Sequence, residues 1–126
     1  MKMIGLSRRE RQIMDVCFML GHATAAEIRD NLPEPVSEDS VRKLIRILEH
    51  KGHLSHKRVG RSHVYRPRIS AEDAERQAMR HVLKTFFRDS ASKAVSTLLD
   101  VADSDLNPQE IDEIQARIEE ARRRGR

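Results

Sequence analysis

The sequence predicts a mainly α-helical fold with one small β-hairpin and a further set of helices. Three observations predict it. Residues 37–52 follow the i, i+3, i+4, i+7 spacing of a helix with one buried face. Apolar and polar residues then alternate on both sides of a glycine turn, as in two short strands. Beyond residue 70 the helical period returns in three segments. The buried face of the first pattern comprises Val41, Leu44, Ile45 and Leu48.

Two capping boxes predict two helices before residue 37. Residues 7–10 (Ser-Arg-Arg-Glu) and 24–27 (Thr-Ala-Ala-Glu) pair a hydroxyl at the N-cap with a glutamate three residues later. The first helix is expected to end at Gly21, and the second at the proline-containing segment 32–35. Cys17 is interpreted as a small core residue. The inward side chains of the first helix are Ile13, Val16, Cys17 and Leu20.

The third helix is the candidate for contact with DNA. Ser37 is its expected N-cap, and Gly52 can adopt the left-handed conformation that ends a helix. A short, polar, basic face near a helix N-terminus is typical of a helix that enters the major groove. The alternative is an amphipathic helix whose outer face is only solvated. The outer face comprises Ser37, Ser40, Arg42, Lys43 and Arg46.

A hairpin is predicted directly after this helix. Its strands are expected at 53–59 and 62–66, with a turn at Gly60-Arg61 and an end at Pro67. His63 and Tyr65 share one face of the second strand, which we interpret as the inner face. Three helices and a hairpin in this order predict a winged helix-turn-helix. The hairpin residues expected at phosphates or the minor groove are Lys57, Arg61 and Ser62, among the basic residues Lys57, Arg58, Arg61 and Arg66.

The remaining chain is predicted to be a three-helix dimerisation region. We therefore place the winged-helix DNA-binding domain at 1–69 and the dimerisation region at 70–126. About 58 residues cannot bury all of these apolar faces alone, and a twofold homodimer is the simplest partner arrangement. The alternative is a monomer whose helices fold back on the winged helix. The expected interface comprises Leu83, Phe86, Phe87, Val95, Leu98, Leu99, Ile111, Ile114 and Ile118.

The charges are distributed unevenly along the chain. Lys and Arg exceed Asp and Glu by 14 to 8 in residues 1–68 but number 10 against 12 in residues 69–126. This predicts a polyanion partner, double-stranded DNA, for the first part. One cysteine, no signal-like N-terminus and no apolar run of the roughly 20 residues that span a bilayer predict a cytoplasmic protein without a membrane partner.

The sequence predicts neither an enzyme nor a cofactor. It lacks a glycine-rich phosphate loop and a recognisable nucleophile motif. His50, His53 and His56, with His63 nearby, leave a metal-sensing site as an alternative to surface imidazoles. That cluster spans a predicted helix-to-strand junction, which separates its members.

With these elements in place, the chain resembles the penicillinase-repressor (BlaI/MecI) family of winged-helix transcriptional regulators from Leu6 to about Glu120. The resemblance implies a homodimer that binds a short inverted repeat and represses transcription, with the C-terminal helices as the interface. It also implies that the helix face described above enters the groove and that Arg61 belongs to the wing. The stretches that support it are Leu6-Ser7, residues 37–52, Gly60-Arg61, Val64-Tyr65-Arg66-Pro67 and Leu106-Asn107-Pro108-Gln109-Glu110-Ile111.

The inducing signal stays open. Family members that respond to β-lactams are cut at an Asn-Phe bond, where this chain has Thr97-Leu98, and the paired Cys-x-Cys motifs of copper-responsive relatives are missing. Two alternative functions also stay open: a winged-helix regulator of another type that senses a ligand or metal, and a winged-helix module that docks on a protein. Concentration of Arg42, Lys43, Arg46 and Arg61 on one side favours DNA over protein docking.

Overall fold

A computed structural model describes residues 5–125. The first four residues of the predicted domain 1–69 and Arg126 of the predicted region 70–126 lie outside this range. The described chain is mostly helical with one two-stranded antiparallel sheet, as predicted. The elements are α1 Arg8–Leu20, α2 Ala25–Asp30, α3 Glu38–His50, β1 Leu54–Val59, β2 Ser62–Pro67, α4 Ala71–Phe86, α5 Ala91–Val101 and α6 Pro108–Arg123.

Both predicted capping boxes are confirmed. The Ser7 hydroxyl accepts from the Glu10 backbone N–H at 3.1 Å, and the Glu10 carboxylate accepts from the Ser7 N–H at 2.9 Å. Thr24 and Glu27 repeat the arrangement at the start of α2. Gly21 ends α1 at φ 81°, a conformation that a side chain disfavours. Local hydrogen bonding therefore fixes where these helices begin and end.

The core of the N-terminal unit is built by α1, α2, α3 and the hairpin. Ile13, Cys17 and Ile28 are completely buried, and the predicted inner face of α3 is confirmed for Val41, Ile45 and Leu48. Leu44 packs against this core while remaining half-buried. The prediction for Leu20 is wrong, because its side chain is 41% exposed in the last turn of α1. Burial raises the pKa of the Cys17 thiol to about 12, which is consistent with a core residue.

The hairpin pairs Leu54 with Pro67 at its base and Val59 with Ser62 at its tip. Its first strand begins one residue later than predicted. A third short segment joins the sheet, because Ala23 and Tyr65 exchange both backbone hydrogen bonds at 2.8 and 2.9 Å. This pairing attaches the hairpin to the loop before α2, and the whole arrangement is a winged helix.

An ion pair connects the first turn of α1 to the end of α3. Lys51, directly after α3, donates to both carboxylate oxygens of Glu10 at 2.9 and 3.3 Å. Glu10 is buried. The hydrogen bond from the Ser7 amide lowers the pKa of the Glu10 carboxyl; burial opposes that shift and the Lys51 ammonium adds to it. The carboxylate therefore stays ionised inside the unit, with each charge satisfied.

The chain divides into a second unit between Met79 and Arg80, inside α4. The predicted domain boundary at 69/70 stays a prediction. Ser70 accepts from the Asp73 N–H at the start of α4, and Ser90 and Asn107 cap α5 and α6. α4 ends at Phe86, and the following Arg88 and Asp89 have positive φ, which is incompatible with a continuing helix. Among residues 5–125 no helix is long and apolar enough to cross a membrane.

Candidate nucleic-acid interface

The start of α3 exposes two hydroxyl groups. Ser37 is the N-cap, as predicted, and its Oγ accepts from the Ser40 N–H at 3.2 Å. The same hydroxyl donates to the Ser40 Oγ at 2.9 Å. Both side chains are exposed, so this pair can exchange its mutual hydrogen bond for one to a ligand in solvent.

The outer face of α3 is basic and exposed. Arg42, Lys43 and Arg46 all lie opposite the completely buried Val41 and Ile45. Arg42 and Arg46 are one helical turn apart, and the Arg46 Nε donates to the Arg42 carbonyl oxygen at 3.4 Å. The helix thus presents three cations to solvent from a rigid, packed element.

A concave surface of about 780 Å³ forms between the start of α2, the outer face of α3 and the hairpin. Four predicted DNA-contacting residues lie in it: Arg42, Arg46, Arg61 and Ser62. The other four, Ser37, Ser40, Lys43 and Lys57, are exposed outside it. The full lining comprises Thr24, Ala25, Ala26, Asp39, Arg42, Arg46, Glu49, His56, Arg61, Ser62, His63 and Tyr65.

The hairpin presents basic residues on both of its faces. Gly60 has φ 63° at the tip, and the Arg58 Nε donates to its carbonyl oxygen at 3.2 Å. Arg61 follows in the turn and is exposed. Lys57 pairs in register with Val64, so its side chain lies on the sheet face opposite His56 and Tyr65. Lys57 and Arg61 therefore point to different sides of the wing.

Sequence reasoning missed a contact that joins α3 to the hairpin. The His56 Nδ1 lies 2.5 Å from a carboxylate oxygen of Glu49, and the His56 and His63 rings stack with centroids 4.5 Å apart. Tyr65 is buried beside them, so burial and the Glu49 charge raise the pKa of its hydroxyl. His63 shares this face, as predicted, but it is exposed and not inward. Seven residues separate Glu49 from His56 across a helix-to-strand junction, so no local pattern indicates the pair.

Acidic side chains at the start of α3 were also missed. Glu38 lies 2.7 Å from Arg42 and 3.5 Å from Arg29 of α2. The i, i+4 spacing of Glu38 and Arg42 was available in the sequence as a signal. The contact between Glu38 and Arg29 depends on how α2 packs on α3, so no pattern in the sequence indicates it.

The histidines do not converge on a metal site. His50 is exposed in the last turn of α3, while His53 is buried and burial lowers its pKa. His56 is occupied by Glu49 and His63 as described above. Across residues 5–125 no group of three His, Cys, Asp or Glu side chains has a geometry that could hold a metal ion.

The residues predicted to form a dimer interface lie on α4, α5, α6 and the residue after α4. None of them is buried in the single chain. Leu83, Phe87 and Ile114 are half-buried, whereas Phe86 and Leu98 are 71% and 57% exposed. Val95, Leu99, Ile111 and Ile118 are exposed as well.

Residues 6–120 match the model of one protein family, described as penicillinase repressor. The chain belongs to the penicillinase repressor family. This confirms the resemblance noted in the sequence, and it makes the protein a DNA-binding transcriptional repressor of a family that is not an enzyme class. The basic outer face of α3 and the wing described above are the parts of this chain suited to that activity.

Three solved structures are among those similar to this chain. The CopR repressor is 33% identical over 53% of this chain and 100% of its own, with a TM-score of 0.46. TrmBL2, an archaeal chromatin protein, is 20% identical over 85% of this chain and 40% of its own, with a TM-score of 0.47. ZitR from Lactococcus lactis, a zinc-responsive MarR family member, is 18% identical over 99% of this chain and 80% of its own, with a TM-score of 0.47. No curated protein matches the chain.

Proposed function

We propose that this repressor acts as a homodimer on an inverted-repeat operator, with residues 1–69 contacting DNA and residues 70–126 holding the two copies together. The observation that supports DNA contact by residues 1–69 is the exposure of Arg42, Lys43 and Arg46 opposite the buried face of α3. A packed inner face fixes the helix, so the outer face can enter a groove as a rigid unit.

The N-terminal half of α3 is the part that enters the major groove. Ser37 and Ser40 supply short hydroxyl groups at its start, and Arg42, Lys43 and Arg46 supply longer donors along the same side. Short and long donors on one helix face can contact base edges and phosphates at the same time. Sequence preference then arises from this face.

The hairpin contributes most of its binding energy through charge. Arg61 and Ser62 line the same concave surface as α3, while Lys57 lies on the other hairpin face. A duplex that fills the concave surface places its backbone beside Arg61. Contacts of this kind bind any sequence and weaken as salt rises.

The apolar side chains of residues 80–125 support the homodimer. No residue of α4, α5 or α6 is buried in the single chain, although each of these helices is amphipathic, with apolar residues on one face. Exposed apolar side chains such as Leu98, Leu99 and Ile118 gain stability by leaving water. A twofold partner covers the same face on both copies, and it sets two winged helices at a fixed separation.

The experiment that tests this proposal is selection of bound fragments from random duplex DNA, with the mass of the complex measured by light scattering. We expect an enriched inverted repeat, two chains per duplex and half-sites about one helical turn, or a multiple of it, apart. Selection of a single half-site by one chain would contradict the homodimer. Binding without sequence preference would contradict the operator and favour docking on another protein.

A further inference from the structure

Arg42 differs from the other cations proposed to contact DNA, because it is held by a carboxylate. Its Nη2 lies 2.7 Å from the Glu38 Oε2, one turn earlier on α3. The other Glu38 oxygen lies 3.5 Å from the Arg29 Nη1, and the Arg29 Nη2 lies 3.0 Å from Asp30. The four side chains alternate in charge from α2 to the outer face of α3. Arg42 is thus at the end of a connected chain of ion pairs.

The remaining proposed cations have no such partner. Among residues 5–125, no carboxylate lies within ion-pair distance of Lys43, Lys57 or Arg61. Arg46 has a single weak hydrogen bond to a backbone oxygen. These side chains keep their full charge and their freedom to follow a phosphate. Arg42 also stays charged, but Glu38 offsets that charge and restrains the side chain.

A carboxylate beside an arginine changes what the arginine binds well. Glu38 offsets much of the Arg42 charge and repels an approaching phosphate, so it weakens a purely electrostatic contact. It also holds the guanidinium at Nη2. The second N–H of Nη2 stays available, and together with an adjacent N–H of the same planar group it forms a pair of parallel donors. A fixed, planar pair of donors matches the O6 and N7 acceptors of guanine in the major groove.

We propose that Arg42 contacts a guanine in each half-site and that Glu38 is the positioning residue that selects this contact over a phosphate. The proposal rests on the operator binding proposed above. It assigns Glu38 two effects of opposite sign: it lowers affinity for DNA in general, and it raises preference for one guanine.

Three substitutions at Glu38 and Arg42, with a fourth at Asp39 for comparison, separate the two effects in the full-length chain. Glu38→Gln removes the charge with little change in size, and Glu38→Asp keeps the charge but shortens the side chain. Asp39→Asn is the charge-matched comparison within the same concave surface, because Asp39 also lines that surface, is exposed and contacts no arginine within residues 5–125. Arg42→Ala identifies the base pair concerned. Each variant is measured on the selected operator, on operators with every half-site base pair replaced in turn, and on a random duplex.

Arg42→Ala should lose preference for one guanine by about 5- to 150-fold, the range for one good base contact. Glu38→Gln and Glu38→Asp should lose about two- to tenfold at that same base pair. Glu38→Gln and Asp39→Asn should both bind the random duplex more tightly, whereas Glu38→Asp should bind it like the unmodified chain. Asp39→Asn should retain the preference for that guanine.

Full retention of the guanine preference in both Glu38 variants would overturn the role of Glu38 while leaving the operator intact. Uniform loss by Arg42→Ala on every sequence would reassign Arg42 to a phosphate and overturn the guanine contact. If the unmodified chain selects no sequence, the proposed operator fails first, and the role of Glu38 fails with it. Thermal unfolding of each variant confirms that the differences arise in folded protein.

Discussion

The two units of this repressor use the same kind of helix pattern with different results. In the N-terminal unit the apolar faces of α1 and α3 meet each other, so Ile13, Ile45 and Leu48 are completely buried. In residues 80–125 the apolar faces of α5 and α6 stay largely uncovered: Leu98 is 57% exposed and Ile118 is 50% exposed. Periodicity therefore predicts that a helix has an apolar face, but it does not predict which surface covers that face.

The difference also separates two kinds of surface chemistry. The first unit buries its apolar residues and leaves a basic concave surface between α3 and the wing. The second leaves apolar side chains in water and has nearly balanced charges. A surface rich in exposed cations suits a polyanion, and an exposed apolar face suits a second protein surface.

The largest expected effect comes from a charge placed on the exposed apolar face of α5. If Leu98 lies in the proposed homodimer interface, Leu98→Asp should give monomers, because burying an unpaired carboxylate there is costly. Operator affinity should fall by about 10²–10⁴-fold, since the two half-sites would no longer be bound by linked domains. Sedimentation equilibrium and operator binding measure the two results.

Ser96→Asp is the matched control for this substitution. It adds the same charge two residues away on α5, outside the apolar face, and Ser96 is exposed. We expect it to remain dimeric. A dimer that survives Leu98→Asp would place the interface on another surface.

Truncation of a core residue sharpens the contrast between the units. Ile45→Ala should lower the free energy of unfolding of the N-terminal unit by about 2–5 kcal/mol, because it leaves a cavity in a closed core. Leu98→Ala removes a side chain that is 57% exposed in the single chain, so most of its cost should arise through the proposed dimer and depend on protein concentration. Chemical denaturation at two concentrations separates the cases. Similar, concentration-independent losses for both variants would mean that the second unit has a covered core within one chain.

Local features of this fold were predictable from the sequence, and long-range contacts were not. The capping boxes at Ser7 and Thr24 lie within four residues, so their chemistry is visible in the sequence itself. The ion pair between Glu10 and Lys51 joins residues 41 positions apart and depends on the packing of α1 on α3. Sequence reasoning assigned Glu10 only its local role in the capping box.

The same limit explains the result at the candidate interface. The outer face of α3 followed from periodicity, because burial of Val41 and Ile45 requires Arg42 and Lys43 to face outward. The Glu49–His56 contact required the angle between the helix and the hairpin, which no spacing rule supplies. Burial of Leu20 was predicted from its position on a stripe, but the end of α1 extends past the core.

The Glu10–Lys51 pair should have a smaller, pH-dependent effect. The pKa of the Glu10 carboxyl is lowered in the folded protein, so ionised Glu10 stabilises the fold at pH values above its ordinary pKa of 4.5. This contribution is lost as the pH falls through the folded-state pKa. Glu10→Gln keeps an acceptor for the Ser7 amide but removes the charge beside Lys51, at a cost of about 1–3 kcal/mol near neutral pH. The difference from the unmodified chain should shrink in acid.

Glu27→Gln provides the control for this prediction. Glu27 makes the same capping contact with Thr24, but it is exposed and has no lysine partner in the described chain. Its substitution should therefore cost less than that of Glu10. Equal losses for the two variants, or a Glu10 effect that is constant from pH 7 to pH 3, would show that the Lys51 pair adds no stability.

The smallest expected effect tests the difference in charge between the units. Arg61→Ala should weaken binding to operator and random duplex by the same factor, and it should reduce the slope of log affinity against log salt by about one, because one phosphate contact is lost. Arg117→Ala removes the same charge from α6, where the arginine is exposed and paired with Glu120 at 3.1 Å. That variant should retain the full slope. If both substitutions reduced the slope equally, affinity would follow the net charge of the chain, and the wing would have no specific place on the duplex.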